Sequence, residues 1–247
     1  MSGFDSLKEA FGKQTENIYS IETGISSDRE MNSRIKEFSE GKISILSFSD
    51  SHSFWPWRLG REATIFRKTD SFDELIRQIR ENDFIGTVEV EPAYGKYHWD
   101  GHARCGFSCS PEESEKLNGI CPKCGKNLTI GVENRVEKLA EKNIFKDGKI
   151  ELKILPLHEI LSLYFGMGIN SKKIWGVYNE MIKKFENEFN ILLNVSEKDF
   201  LDFGTEKSLI DLIIKNRQGK IKVRPGYDGE YGVAILEGKS EKQRKLI

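Results

Sequence analysis

All four cysteines of this chain, Cys105, Cys109, Cys121 and Cys124, fall within twenty consecutive residues of 247. The opening stretch, MSGFDSLKEAFGKQTENIYS, has neither a basic start nor an apolar run. No secretory signal is read there, and a cytoplasmic location with reduced thiols is expected. Clustered reduced cysteines point to a metal rather than to disulfides, so the middle of the chain is expected to fold around an ion. Cys121-Pro122-Lys123-Cys124-Gly125 reads as a zinc knuckle: its two thiolates reach one ion, and the glycine lets backbone amides turn toward sulfur. The other half is open on spacing. Cys105 with Cys109 makes one candidate pair and His102 with Cys105 another, both at a workable loop length upstream of the knuckle. Four protein ligands leave no position for water, so the role expected of this Zn2+ is structural.

Around the cluster the sequence changes texture twice. Residues 1–88 alternate strand-like and helical stretches, an α/β pattern. NIYSIETG and KISILSFSD read as buried strands, with SSDREMNSRIKEFSEG as a short helix between them, starting at Ser27-Asp28 and stopped by Gly41. RLGREATIFRK leads into another strand, and SFDELIRQIREND forms an amphipathic helix with Phe72, Leu75, Ile76 and Ile79 on one face. Residues 89–131 are rich in glycine and aromatics and hold the cysteines. Residues 132–247 read as mainly helical, through HEILSLYFG, KKIWGVYNEMIKKFENEF, EKDFLDFG and EKSLIDLIIKNRQG. KIKVRPGYDGEYGVAIL is a turn-rich β-like segment, and the charged GKSEKQRKLI closes the chain as a mobile tail. No apolar run approaches the roughly 18 residues a membrane helix needs, so no membrane partner is expected.

Ser49-Asp50-Ser51-His52 follows the strand KISILSF directly. An Asp and a His at the carboxyl end of a buried strand can both aim into the crevice above the sheet edge, and carboxylate plus imidazole suits a hydrolytic metal. Many such pairs merely cap a loop. Glu22, at the end of the other strand, either shares that crevice or forms a cap or salt bridge. Phe54-Trp55-Pro56-Trp57-Arg58-Leu59-Gly60-Arg61 comes next. Its arginines and aromatics suit phosphate clamping and base stacking, or else the tryptophans pack the core and the arginines pair with acids. Ser171, Lys172 and Lys173 stand at a helix start, where amides and lysines together suit a phosphate backbone; a solvated lysine face is the plainer alternative. Lys183 and Lys184 end the same helix. His158, beside Leu157 and Ile160, reads as structural. A net charge of −1 confines any nucleic-acid contact to local patches of this kind.

Taken together, IETGISSD, SDSHSFWPWRLGREAT, GKYHWDGHARCG, NGICPKCGKNLTIGV, GINSKKIWGVYN and RPGYDGEYGV resemble the endonuclease Q family, in order along essentially the whole chain. The resemblance implies a metal-dependent phosphoesterase domain of the PHP (polymerase and histidinol phosphatase) type, a zinc-binding part and a helical DNA-binding part. It implies a DNA repair nuclease that cuts on the 5′ side of deaminated bases and abasic sites with a divalent metal (Mg2+, Mn2+ or Zn2+). Asp50 and His52 match that family's late metal-binding motif, and the H-x2-C arrangement matching His102 and Cys105 favours His102 over Cys109 as the fourth zinc ligand. The activity implied is attack on phosphorus by a metal-activated water.

The departures bear on activity. A PHP domain opens with His-x-His, whereas the four histidines here stand at 52, 98, 102 and 158 with no such pair. MSGFDSLKEAF stands where the middle of the barrel would be, and Phe48 occupies a place where relatives carry a polar residue. The expectation is therefore an α/β chain: the C-terminal half of a PHP-like barrel (1–88), a small zinc ribbon (89–131) and a mainly helical DNA-binding domain (132–247). It is expected to engage lesion-containing DNA and to need a separately encoded N-terminal PHP fragment for cleavage. The alternative is a non-catalytic zinc-containing DNA-binding module.

Overall fold

The computed structural model describes residues 3–141 and 147–236, and the expected tail GKSEKQRKLI lies outside them. After a short helix α1 (Leu7–Phe11), strands β1 (Ser20–Thr23) and β2 (Ser44–Ser47) pair in parallel, with Ile21 opposite Ile45. β2 is buried throughout, whereas β1 buries only Thr23 fully. Between them the expected helix is cut to α2 (Arg29–Ser33), capped by Asp28, whose carboxylate accepts from the Met31 amide at 2.7 Å. Helix gives way there because Ile35 bridges to Ala140 and the Arg34 carbonyl accepts the Glu141 amide at 2.7 Å, a tertiary pairing that overrides local propensity.

A second sheet adjoins the first. β3 (Ala63–Ile65) runs antiparallel to β4 (Gly86–Glu89), and β4 pairs in parallel with β7 (Ile150–Lys153). The Thr64 hydroxyl joins the two sheets, donating to the Ser47 carbonyl at 2.9 Å and accepting its amide at 3.0 Å. In place of the half-barrel expected from the sequence stand two adjoining open sheets, and among the described residues no barrel closes. β4 crosses the expected boundary at 88, and its neighbour β7 comes from the part expected to be helical. Gly86 permits that pairing, because a Cβ there would meet the Ile150 carbonyl oxygen at 2.0 Å.

The helix α3 (Phe72–Arg80) starts as expected at Ser71, whose hydroxyl accepts from the Glu74 amide at 3.2 Å. Of its expected apolar face, Leu75, Ile76 and Ile79 are half-buried, while Phe72 at the end is 73% exposed. The one fully buried residue is Gln78, whose side chain accepts the Arg67 amide at 2.9 Å.

The cysteine-bearing segment is inserted between β4 and β7. It holds the hairpin β5 (Asp100–His102) and β6 (Phe107–Cys109), then helices α4 (Pro111–Lys116) and α5 (Val132–Leu139). Buried Asp100 ties its two ends, accepting from the Gly131 amide and from Asn134 Nδ2, each at 2.6 Å. After β7 come α6 (Leu157–Phe165), α7 (Lys172–Phe185), α8 (Glu188–Leu193), α9 (Glu197–Asp202) and α10 (Lys207–Arg217). Leu157, Ile160, Ile174, Ile191, Phe200, Ile210 and Ile213 are fully buried among them, the interior of the helical part. One expected helix is two: Glu186 takes a φ of +74°, and Asn187 recaps α8 through the Asn190 amide at 2.8 Å. The antiparallel hairpin β8 (Lys222–Arg224) and β9 (Val233–Ile235) returns to the cysteine segment, where Asp228 accepts from the Ala103 amide and the Thr129 hydroxyl, each at 2.6 Å.

Candidate functional site

Two His-bearing constellations stand out, and they differ in how far their donors converge. In the first, His102 Nδ1 lies 3.2 Å from Cys105 Sγ and 3.3 Å from Cys124 Sγ. With Cys121 these ligand atoms all fall within 4.8 Å of one another. A tetrahedral ion with sulfur and nitrogen ligands spaces its donors roughly 3.5–3.8 Å apart, so the set fits a zinc-type ion. Both halves turn on a glycine in the left-handed region, Gly106 at φ +55° and Gly125 at φ +72°. Lys123 Nζ clips them together by donating to the Cys105 carbonyl at 2.9 Å. Burial pushes the Cys121 thiol up, but the Lys123 and Cys124 amides and the His102 ring outweigh it and bring it down to about 7, while Cys105, hydrogen-bonded to Cys124 and Cys121, is raised to about 11, so negative charge in the cluster settles first on Cys121. Cys109 stands apart from the four. It is fully buried in β6 beside Cys121 and Leu128, and burial pushes its thiol up to about 11.

The second constellation sits at the carboxyl ends of β1 and β2. Asp50 takes a φ of +41°, a left-handed turn that Asp tolerates better than most residues, and the loop swings out of the sheet there. His52 Nε2 lies 3.3 Å from Asp50 Oδ2, with both side chains largely exposed. Glu22 stands near enough that its carboxyl is raised, first by burial and then by the Asp50 charge. Asp50 and His52 thus form a pair, with Glu22 within electrostatic reach of Asp50. Yet among the described residues the only group of three or more whose donor atoms converge is the His/Cys set. Asp50, His52 and Glu22 do not form a closed ligand set, and no step through a metal is derived from them.

Behind Asp50 two acids are buried that the sequence reading passed over. Glu62 accepts from the Ser47 hydroxyl at 3.3 Å and the Val90 amide at 3.4 Å; Glu89 accepts from the Thr23 hydroxyl at 3.4 Å and the Arg29 amide at 3.3 Å. Burial raises their carboxyls to about 7 and about 8. Nothing in the sequence marks them, because an acid beside a short strand looks like surface.

The aromatic segment divides. Trp57 is buried, 4.9 Å from the His158 ring and 5.9 Å from Trp175 of α7. Trp55 stacks on it at 5.1 Å, and Phe54 is exposed. Arg61 donates to the Ser49 carbonyl at 3.4 Å and so holds the loop that carries Asp50, while burial lowers its pKa. Arg58 instead places its guanidinium 5.3 Å from the ring centre of Tyr231. On α7, Ser171 caps the helix through the Ile174 amide at 3.3 Å, and Lys172 and Lys173 are exposed on its first turn. Trp55 and Trp175 approach to 6.1 Å, which ties that turn to the Asp50 loop. Lys183 and Lys184 are exposed at the far end of the helix, roughly 20 Å away at 1.5 Å per residue.

Beside Asp50 opens a cavity of about 320 Å³, walled by Ile25, Ser26, Phe48, Tyr97 and Tyr231, with Lys96 at its side. Lys96, Tyr97 and Tyr231 lie in GKYHWDGHARCG and RPGYDGEYGV, where no motif of their own marks them. The signal available was glycine. At Gly95 a Cβ would meet Ser26 Oγ at 2.2 Å, and at Gly232 one would meet the Ala93 carbonyl at 2.1 Å. These close approaches bring the three loops around the cavity.

The arrangement defines a mixed α/β protein with a thiolate–imidazole cluster of metal-binding type and a polar–aromatic cavity at the carboxyl ends of its parallel strands. Residues 156–220 match the family described as the MJ0043 C-terminal domain. The uncharacterized protein MJ0043 of Methanocaldococcus jannaschii is 34% identical over 93% of this chain, and YqxK of Bacillus subtilis is 27% identical over 92%. The chain spans 29% and 54% of those two relatives' lengths. Among solved structures, the lesion-specific endonuclease PfuEndoQ of Pyrococcus furiosus superposes with a TM-score of 0.82 at 30% identity. An endonuclease Q complex with a 27-mer duplex carrying an abasic lesion at the active site matches equally well. Each match covers 98% of this chain and 60% of the neighbour. In sequence and fold the chain is thus similar to endonuclease Q along nearly its whole length, as its motifs indicated. Among the described residues no helix is long and apolar enough to cross a membrane.

Proposed function

We propose that this chain is the lesion-engaging part of an endonuclease Q-like DNA repair system. The observation that carries the reading is the cavity beside Asp50, set in a fold whose solved neighbour holds a duplex with an abasic lesion at its active site. A cavity of about 320 Å³ with aromatic walls suits a nucleotide unit that has left the duplex stack. Arg58, Lys172 and Lys173 are the cations placed to meet the DNA backbone, with Ser171 at the helix start between them and the Asp50 loop. Arg61 serves by fixing that loop through Ser49 rather than by touching DNA.

In this reading residues 1–88 together with β7 are the PHP-like part, 89–131 the zinc ribbon and the rest of 132–247 the helical DNA-binding part. Zinc would be held by His102, Cys105, Cys121 and Cys124, leaving Cys109 as a packing thiol. Asp50, His52 and Glu22 would contribute to a divalent-metal site, whose chemistry is to activate water and neutralise charge on the phosphate. Such sites use three or more converging protein ligands. Cleavage 5′ of a deaminated base or abasic site therefore requires donors beyond this trio, supplied by a PHP segment in cis or from a separately encoded partner. That shortage is also what favours the second reading, a zinc-containing DNA-binding module without catalysis.

The test is elemental analysis combined with DNA-binding titrations of the purified chain and Asp50→Ala. About one zinc in both proteins, with tighter binding of an abasic-site duplex than of the undamaged duplex, is expected. Equal affinity for the two duplexes would defeat the lesion reading. A second metal lost in Asp50→Ala, with nicking by the chain alone, would instead show a complete catalytic centre.

A further inference from the structure

Lys96 is held in an unusual way for a surface cation. Its backbone is pinned from both sides: the neighbouring Gly95 packs against Ser26, the Tyr97 amide donates to Ser26 Oγ at 3.2 Å, and the Lys96 carbonyl accepts the Gly229 amide at 2.9 Å. The half-buried side chain then places its ammonium 5.3 Å from the Tyr97 ring centre and 5.9 Å from that of Tyr231. Arg58 meets the same Tyr231 ring at 5.3 Å. Among the described residues neither cation has a carboxylate within ion-pair distance, although the chain carries 39 acids against 38 lysines and arginines. Two cations thus converge on one tyrosine at the side of the cavity, and the Asp50 carboxylate lines the same cavity.

Aromatic faces orient an ammonium without neutralising it. A lysine already paired with a carboxylate must break that pair to take an anion, whereas this one need not. Its compact charge and three donors suit a single phosphate oxygen. A charge-assisted hydrogen bond to such an oxygen is about twice as strong as a neutral one.

We propose that Lys96, flanked by Arg58, grips a non-bridging oxygen of the phosphodiester whose nucleotide enters the cavity beside Asp50. This assignment rests on the lesion-DNA reading and adds to it a named phosphate contact at the cavity itself. A contact made only when a nucleotide leaves the stack acts on the lesion duplex in particular. A lysine on the general binding face would weaken every duplex alike.

The test compares the purified chain with Lys96→Met, Lys96→Arg and Lys68→Ala, using fluorescence anisotropy on a duplex with a tetrahydrofuran abasic-site analogue and on its undamaged counterpart, across a salt series. Lys96→Met keeps the aliphatic stem and loses the charge. Lys68 is an exposed control beyond the carboxyl end of β3, which runs antiparallel to β4 and so points away from the cavity. Lys96→Met is expected to weaken the abasic duplex about tenfold and to lower its salt slope by about one, with the undamaged duplex little changed. Lys96→Arg should retain most of the affinity, and Lys68→Ala all of it. Unchanged affinity and salt slope in a folded Lys96→Met would overturn the assignment while leaving the lesion reading standing. Equal weakening of both duplexes would overturn it too, by making Lys96 a general backbone contact. If Lys96→Met melts early, Lys96→Arg decides: loss of lesion binding in a stable arginine variant counts against a phosphate grip. A wild-type chain that binds neither duplex removes the lesion reading and this assignment together.

Discussion

His158 shows how a residue outside the cavity sets the conditions under which the site exists. It is fully buried, neither ring nitrogen has a hydrogen-bond partner, and it packs 4.6 Å from Trp175 and 3.9 Å from Tyr178. Burial lowers its pKa from 6.5 to about 4. Above pH 6.5 the ring is neutral folded or unfolded; between 6.5 and 4 the unfolded chain takes up a proton that the folded one refuses. Stability present above 6.5 is thus lost as pH falls through 4, by on the order of 3 kcal/mol. Glu62 and Glu89 act with the opposite sign. Their raised carboxyls favour the fold below 4.5, and that contribution is lost as pH rises through about 7 and about 8. Thermal melts across pH should show both limbs. His158→Phe should flatten the acid limb and Glu89→Gln the neutral-to-alkaline one, and an acid limb unchanged in His158→Phe would disprove the assignment. The structural role of His158 was legible from its apolar neighbours in sequence. Glu62 and Glu89 were not legible, since their burial is made by strands that assemble only in the tertiary fold.

At the scale of elements, legibility follows the range of the forces. The two half-sites His102–Cys105 and Cys121–Cys124 are set by local spacing and left-handed glycines, so the sequence displayed them. The pairing of β4 with β7 spans the whole inserted cysteine segment, and no local pattern announces it. The insertion has an energetic consequence. Structural zinc contributes on the order of 10–16 kcal/mol of binding free energy, as much as a whole domain's stability, so under the zinc reading proposed above the segment between β4 and β7 should depend on that ion. The helices α6 to α10 bury their apolar interior together with Val88, Val90, Ile154 and Leu155, apart from the small cluster around the cysteines, and should not. Cys121→Ser, or chelation of the wild type, should remove amide-exchange protection from residues 98–131. Protection should also fall around Asp228, which binds that segment through Ala103 and Thr129. Helical circular dichroism should largely persist. Loss of protection spread evenly over α6 to α10 would refute this separation.

For the molecule as a whole, the question is what makes the open sheets and the helical part act together. They share an apolar core, in which Val88, Val90, Ile154 and Leu155 pack with the helices, and an aromatic seam in which Trp57, from the loop after β2, meets His158 of α6 and Trp175 of α7. The seam explains why a tryptophan-rich stretch directly follows Asp50: Trp57 is core, while Trp55 and Phe54 extend outward from it. The same packing sets the Asp50 loop against the first turn of α7, where Lys172 and Lys173 stand. Truncating a buried tryptophan costs about 3–5 kcal/mol, comparable to the stability of a small domain. Trp57→Ala should therefore do more than lower the melting temperature. It should split one cooperative transition into two, the sheets melting first and α6 to α10 later, as followed by calorimetry alongside helical circular dichroism. Below the first transition it should also weaken binding to the abasic duplex, although Trp57 is buried away from the cavity, because the Asp50 loop and the α7 lysines would no longer be held in register. A single sharp transition at lower temperature with lesion binding intact would mean that the shared core around Val88 and Ile154 couples the two parts without the seam, and that the seam is packing without a role in alignment.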